Sequence, residues 1–162
     1  MNVLWAPWRM KYIEKARDPG CIFCELPPEK KDKENLILYR SRFAFIIMNL
    51  YPYNSGHLMI SPYAHCSSLS KLDKDSLDAV SLLTQASVEI LERLFKPEGL
   101  NVGMNIGRTA GAGFDEHIHM HVVPRWNGDT NFMPVLGETK VMPQYLEETY
   151  KRLLPNCQEL SF

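Results

Sequence analysis

The chain has 162 residues, enough for one domain with its own apolar core and no need of disulfide support. Its formal net charge of −1 argues against general affinity for nucleic acid or an anionic membrane, so any phosphate site must be local. The apolar fraction of 45% and charged fraction of 23% are those of a soluble globular protein.

At the start of the chain, Trp5, Pro7, Trp8 and Arg9 interrupt the apolar run that a signal peptide would need. The longest apolar stretches, Ala44–Met48 and residues 58–60, are strand-length, against the roughly 20 residues of a membrane helix. A cytoplasmic location is therefore expected, with the four cysteines as reduced thiols. Cys21 and Cys24 are spaced as Cys-x-x-Cys, which brings in metal binding or redox chemistry. Cys66 and Cys157 are read as plain thiols.

In chain order, residues 30–34 after Pro27-Pro28 are a charged, solvated loop. Residues 36–39, 42–48 and 57–61 are short and rich in β-branched and aromatic side chains, hence strands. Between the last two lies Asn49-Leu-Tyr-Pro-Tyr-Asn-Ser-Gly56, a turn-forming stretch. Leu77, Val80, Leu83, Val88, Leu91 and Leu94 predict a helix over about 73–95. Asp73, Asp75 and Asp78 suit its positive N-terminus, and Pro97 and Gly99 are expected to close it. Residues 101–106 follow as a strand, 108–113 as a glycine-rich loop, and 117–124 as a strand. Residues 143–154 form a second amphipathic helix with Pro143 near its start. This order predicts an α+β fold with an antiparallel sheet.

The chemistry-bearing signal is His117-Ile-His119-Met-His121-Val-Val-Pro124-Arg125. On a strand the three imidazoles share a face, with neighbours about 6.5–7 Å apart. Three imidazoles have little use in a core, where each polar ring needs a partner. Two uses compete: a metal site, or a nucleophilic imidazole attacking phosphorus while its neighbours hold the phosphate oxygens.

The pattern His-φ-His-φ-His-φ-φ, with φ apolar, resembles the histidine-triad (HIT) family of nucleotide hydrolases and transferases. So do Asn49 followed by His57 in Pro-Tyr-Asn-Ser-Gly-His-Leu-Met-Ile-Ser-Pro, and Asn101-Val-Gly-Met-Asn105-Ile-Gly followed by Ala110-Gly111. The matches run from about Cys21 to Arg125 in the family's order. The resemblance implies a HIT-like antiparallel sheet of about five strands, one long central helix and a C-terminal helix. It implies a single HIT-like domain over 1–162, with 1–35 as an N-terminal extension. It assigns His119 as nucleophile and the main-chain carbonyl of His117 as acceptor of that ring's other N–H. His121 then contacts the phosphate and assists the leaving group, and Asn105 donates to the phosphate. Asn49 holds the ribose hydroxyls, His57 lies beside the pocket, and Phe45 and Ile47 flank the base. Where many members carry Gly-Gln before the triad, this chain has Ala110-Gly-Ala-Gly113-Phe-Asp-Glu116. N–H groups of Gly111 and Gly113 are expected to take over that phosphate contact. Pro124-Arg-Trp-Asn-Gly-Asp-Thr-Asn-Phe132 and Leu4-Trp-Ala-Pro-Trp-Arg-Met10 resemble the diadenosine tetraphosphate phosphorylase and hydrolase branch more than the small phosphoramidases.

In zinc-bearing relatives, similar cysteines pair with histidines placed like His65 and His117. The resemblance thus implies a closed structural zinc site of Cys21, Cys24, His65 and His117. No βαβ thioredoxin pattern surrounds the Cys-x-x-Cys to support a redox use.

The implied reaction is a double displacement: His119 takes a nucleoside monophosphate from a dinucleoside polyphosphate, then passes it to water, phosphate or another acceptor. Magnesium has a place only on the leaving polyphosphate. Alternatives are a purine-nucleotide-binding regulatory protein, a phosphoramidase, and a zinc-dependent hydrolase with the triad as ligands. Family members commonly form homodimers by extending the sheet. Trp126 and Phe132 either reach a partner or pack in the core.

Overall fold

A computed structural model describes residues 20–112, 116–129 and 145–161. A short helix α1 (Ile22–Glu25) and a 3₁₀ turn (Pro27–Glu29) precede β1 (Ile37–Arg40), β2 (Ala44–Met48) and β3 (Leu58–Pro62). The long helix α2 (Lys74–Phe95) leads into β4 (Gly99–Met104), then come β5 (Met120–Arg125) and α3 (Leu146–Gln158). The five strands form one antiparallel sheet in the order β1-β2-β3-β5-β4. The expected α+β architecture with one long helix and a C-terminal helix is what the structure has. No described helix is long and apolar enough to cross a membrane.

β2 and β3 are buried at all five positions because both sheet faces are covered there. Ala44, Ile46, Met48, Leu58, Ile60 and Val122 pack with Val80, Leu83, Ile90 and Leu91 of α2 and Leu153 of α3. On the other face Phe23 of α1 joins Ile37, Phe45, Ile47 and Met59. This second face carries the site.

Asp73 is the N-cap of α2 rather than its first residue: its carboxylate accepts from the Ser76 N–H at 2.9 Å. Lys96, in left-handed conformation, ends the helix with its N–H on Glu92 O. Gly99 does not close the helix as expected; it opens β4, paired with Arg125. Leu77, expected in the apolar stripe, is 37% exposed. At about 100° per residue, Ser76, Leu83 and Ile90 are in line and Leu77 lies roughly 120° round from them. The buried face includes Ser76, Ala86 and Ser87, and the Ser87 hydroxyl is satisfied by Leu83 O at 2.7 Å.

β4 begins two residues earlier than expected, at Gly99. The final strand begins later than expected, at Met120, because its pairing with β3 ends at Ile60↔Met120. Ahead of it, Ile118 N–H bonds to Cys66 O at 2.8 Å, which ties the triad's first residues to the segment after β3. The C-terminal helix continues past residue 154 to Gln158, with Pro155 inside it. Pro143, Gly113 and Phe132 lie outside the described residues.

Candidate active site and metal centre

The first triad residue leaves the expected row of imidazoles. The Nδ1 of His117 lies 3.3 Å from Cys21 Sγ, 3.5 Å from Cys24 Sγ and 3.2 Å from His65 Nδ1, and Cys24 Sγ lies 3.3 Å from His65 Nδ1. All four ligand atoms fall within 4.8 Å of one another. Tetrahedral bonds of about 2.0–2.3 Å place ligand atoms about 3.3–3.8 Å apart, so this donor set fits one metal ion with every position filled by protein. Among the described residues it is the one group of three or more His, Cys, Asp or Glu that can share an ion. The Nε2 of His117 meets Pro62 O at 3.0 Å, the outer hydrogen bond that orients a ligating imidazole. Burial, then Cys21 and Glu25, push the Cys24 thiol up to about 11, so a cation is what would stabilise a thiolate there.

His119 and His121 keep the alternation of a strand, and their rings meet edge-on with centroids 4.7 Å apart. The Nδ1–H of His119 donates to the main-chain carbonyl of His117 at 2.9 Å. That bond fixes the neutral tautomer and leaves Nε2 with a lone pair. Burial lowers the pKa of His119, which keeps the ring neutral and nucleophilic.

A second hydrogen-bonded line sets the tautomer of His121. The Tyr53 N–H at 3.0 Å and the Asn49 amide at 3.3 Å both donate to His57 Nδ1. The His57 proton is therefore on Nε2, 2.9 Å from His121 Nδ1. Its acceptance leaves Nε2–H as the donor of a neutral His121. Burial, and then the charge of a protonated His119, hold His121 down to about 4. The three triad rings do not converge on one metal: His117 faces the thiols, and the Nδ1 atoms of His119 and His121 are taken.

The turn of residues 49–56 carries these donors. Gly56 takes φ +81°, and a Cβ there would come within 3.2 Å of both Leu91 and Pro124. Asn54, 5% exposed, donates to Pro124 O at 3.0 Å and Asp129 Oδ2 at 2.7 Å. Asp129 is gripped in turn by Arg125 Nε at 2.7 Å and Nη2 at 2.8 Å.

The other sequence-derived site residues divide. Asn49 closes its own turn, its Oδ1 accepting from Tyr51 N–H at 2.9 Å. Phe45 and Ile47, 0% and 2% exposed, lie beneath the α1 segment. Asn105 is half-buried and reaches Gly111 O at 3.5 Å, a marginal hydrogen bond. The Gly111 N–H is engaged with Arg108 O at 3.0 Å, so it is not presented to an anion as a nest would require. Sequence reasoning did not single out Phe23, Tyr53, Asn54 or Asp129. The Phe23 ring lies 4.6 Å from that of His119. Its position between the two cysteines was the available signal.

The two rings are thus fixed as neutral tautomers, His119 with its lone pair on Nε2 and His121 with its proton there. Residues 30–128 match the family model of the HIT domain, and the chain belongs to that family. The AP-4-A phosphorylase of Mycobacterium tuberculosis is 42% identical over 161 residues, covering 93% of this chain and 81% of that protein. The asymmetrical bis(5'-nucleosyl)-tetraphosphatase of Schizosaccharomyces pombe is 26% identical over 93 residues, 57% of this chain and 50% of that one. A zinc-bound histidine triad family protein from Mycobacterium smegmatis shares the fold, with TM-score 0.69 over 86% of this chain and 94% of that one, at 23% identity.

Proposed function

We propose that this protein cleaves dinucleoside polyphosphates of the diadenosine tetraphosphate type through a nucleotidyl group held on His119, with inorganic phosphate as the acceptor. The observation that carries it is the His119 Nδ1–His117 O hydrogen bond, which leaves a lone pair on Nε2 beside His121. The choice of phosphate rests on the extent of likeness, 42% identity along nearly the whole chain to a phosphorylase against 26% along about half of it to a hydrolase.

In the first step the Nε2 lone pair of His119 forms a bond to the terminal phosphorus beside one nucleoside. The bridging P–O bond breaks, and His121 Nε2–H meets the departing oxygen. In the second step a phosphate oxygen forms the new P–O bond, the P–N bond breaks, and a nucleoside diphosphate leaves with the imidazole regenerated. On this reading Asn105 gives up its marginal bond to Gly111 O and donates to the phosphate. Asn49 keeps a second lone pair on Oδ1 for a ribose hydroxyl. Phe45 and Ile47 support the base-flanking wall from beneath the α1 segment. Magnesium enters as a counter-ion of the polyphosphate.

The ion at Cys21, Cys24, His65 and His117 is zinc on this reading, in a structural role: it supplies no open position, and it locks the residue whose carbonyl orients the nucleophile. The protein works in the cytoplasm, where free thiols persist. It is a homodimer joined through β4, an edge strand whose residues 99–104 carry neither charge nor proline. Light scattering that returns one chain per particle overturns the dimer.

Product analysis with diadenosine tetraphosphate, with and without inorganic phosphate, tests the function. ADP and ATP appearing only with phosphate support it. AMP and ATP without phosphate make the protein a hydrolase, and no turnover removes the enzymatic reading.

A further inference from the structure

The segment Pro124-Arg-Trp-Asn-Gly-Asp129 runs on from the triad strand, and the reaction proposed above gives it no task. In the structure it folds back on itself. The Asp129 N–H donates to Trp126 O at 3.1 Å, closing a turn in which Gly128 takes φ +78°. The turn carries the Asp129 side chain inward, to 10% exposure. Its Oδ2 accepts from Arg125 Nε at 2.7 Å, Asn54 Nδ2 at 2.7 Å and the Trp126 N–H at 3.1 Å. Its Oδ1 accepts from Arg125 Nη2 at 2.8 Å. A carboxylate alone has acceptors on both oxygens; an amide here would point an NH₂ group at the guanidinium or at Asn54. The ion pair with the exposed Arg125 contributes little by itself. The bond to Asn54 is different in kind, because it leaves the loop and reaches the turn of residues 49–56.

Asn54 stands at the centre of that turn. Its amide also donates to Pro124 O at 3.0 Å, so it holds the end of β5 and the loop beyond it together. Its main-chain carbonyl accepts from the His57 N–H at 3.1 Å. The residue before it, Tyr53, supplies the N–H on His57 Nδ1 at 3.0 Å and rests its ring 5.8 Å from that of His121. The second donor to His57 Nδ1, the Asn49 amide, is longer at 3.3 Å. The donor that sets the His57 tautomer is therefore next in sequence to the residue that Asp129 grips.

We propose that Asp129 is a positioning residue for proton donation to the leaving group: by gripping Asn54 it holds the Tyr53 N–H on His57, and so keeps the proton on His121 Nε2. This rests on the dinucleoside polyphosphate reading above. The relay moves no proton itself; it fixes where the protons of His57 and His121 sit, as outer hydrogen bonds do for a reacting imidazole.

The test measures kcat and KM for the wild type, Asp129→Ala, Asp129→Asn, His57→Ala and the Asp129→Ala/His57→Ala double variant, with saturating phosphate. Two substrates are compared: diadenosine tetraphosphate, and the 4-nitrophenyl ester of AMP, whose nitrophenolate leaves without a proton. The relay predicts that Asp129→Ala lowers kcat on diadenosine tetraphosphate by about tenfold or more with little change in KM. The loss should shrink to about twofold or less on the ester. Once His57 is alanine, Asp129→Ala should cost less than about twofold more. Asp129→Asn, which keeps one oxygen for Asn54, should lose less than Asp129→Ala. Should Asp129→Ala fail to fold, Asn54→Ala cuts the same link and is read by the same comparisons. Equal losses on both substrates, losses that multiply with that of His57→Ala, or a raised KM with unchanged kcat overturn the relay and leave the function standing. A wild type that cleaves neither compound overturns the functional reading, and the relay with it.

Discussion

His117 serves His119 with its backbone and the metal centre with its ring: its carbonyl accepts the His119 Nδ1–H at 2.9 Å, while its own Nδ1 faces Cys21 and Cys24 at 3.3 and 3.5 Å. On the proposed reading, the orientation of His119 is thereby linked to a donor set that leaves no position open to the substrate. A Cys24→Ser variant should lose bound zinc, and activity and melting temperature should fall together, activity by about 10–100-fold. Metal analysis, thermal unfolding and kcat on one preparation check this. Metal removal that abolishes turnover and leaves unfolding unchanged would instead make the ion catalytic.

On the proposed reading, His57 acts on the reaction through His121, whose Nδ1 lies 2.9 Å from His57 Nε2. With its Nδ1 filled by the Tyr53 and Asn49 donors, its Nε2–H fixes the His121 tautomer. His57→Ala should lower kcat by about 10–100-fold with little change in KM. The loss should shrink for an adenylyl ester whose leaving group needs no proton. An equal loss on both substrates would assign His57 to structure alone.

The buried histidines make stability depend on pH. In the unfolded chain an imidazole titrates near about 6.5, whereas His121 is held down to about 4 by burial and then by charge at His119. Between those values the unfolded state binds more protons. Stability is therefore full above about pH 7 and falls as the pH drops from about 6.5 to about 4, by at most about 3 kcal/mol from this group. Activity falls in the same direction, because a protonated His119 has no lone pair at Nε2. Chemical denaturation at pH 7.5, 6 and 5 should give progressively lower free energies. A flat profile would contradict this.

Asn54 fastens the 49–56 turn to Pro124 O and Asp129 from a position 5% exposed. Asn54→Ala should cost about 1–3 kcal/mol, the range for stranding a buried hydrogen-bond partner. Thermal unfolding measures it. A change below about 0.5 kcal/mol would show that water replaces the amide.

The triad, the Cys-x-x-Cys and the helical stripe were legible in the sequence because each is a local pattern with a physical period. What the sequence lacked was the direction in which side chains are pulled once distant segments meet. The alternation of His117, His119 and His121 is real, yet Cys21 and Cys24, more than ninety residues away, take the first ring out of the row. Leu77 matched a stripe that α2 buries through Ser76 and Ser87, small polar residues that carry no apolar signal. Gly111 looked like an anion-binding glycine until its N–H proved to close a 3₁₀ turn. Tyr53 sits in a turn-forming stretch, where nothing local marks it as a neighbour of His121.

The central claim is that Nε2 of His119 bonds covalently to phosphorus. It is tested most directly by mixing enzyme with diadenosine tetraphosphate, without phosphate, quenching within milliseconds to seconds under alkaline denaturing conditions, and analysing peptides by mass spectrometry. The account predicts one adenylyl group on the peptide carrying His119, lost on addition of phosphate with release of ADP. It predicts none in His119→Ala, whose turnover falls by about 10⁴-fold or more. Undiminished turnover in His119→Ala, or an adenylyl group on any other residue, would contradict it.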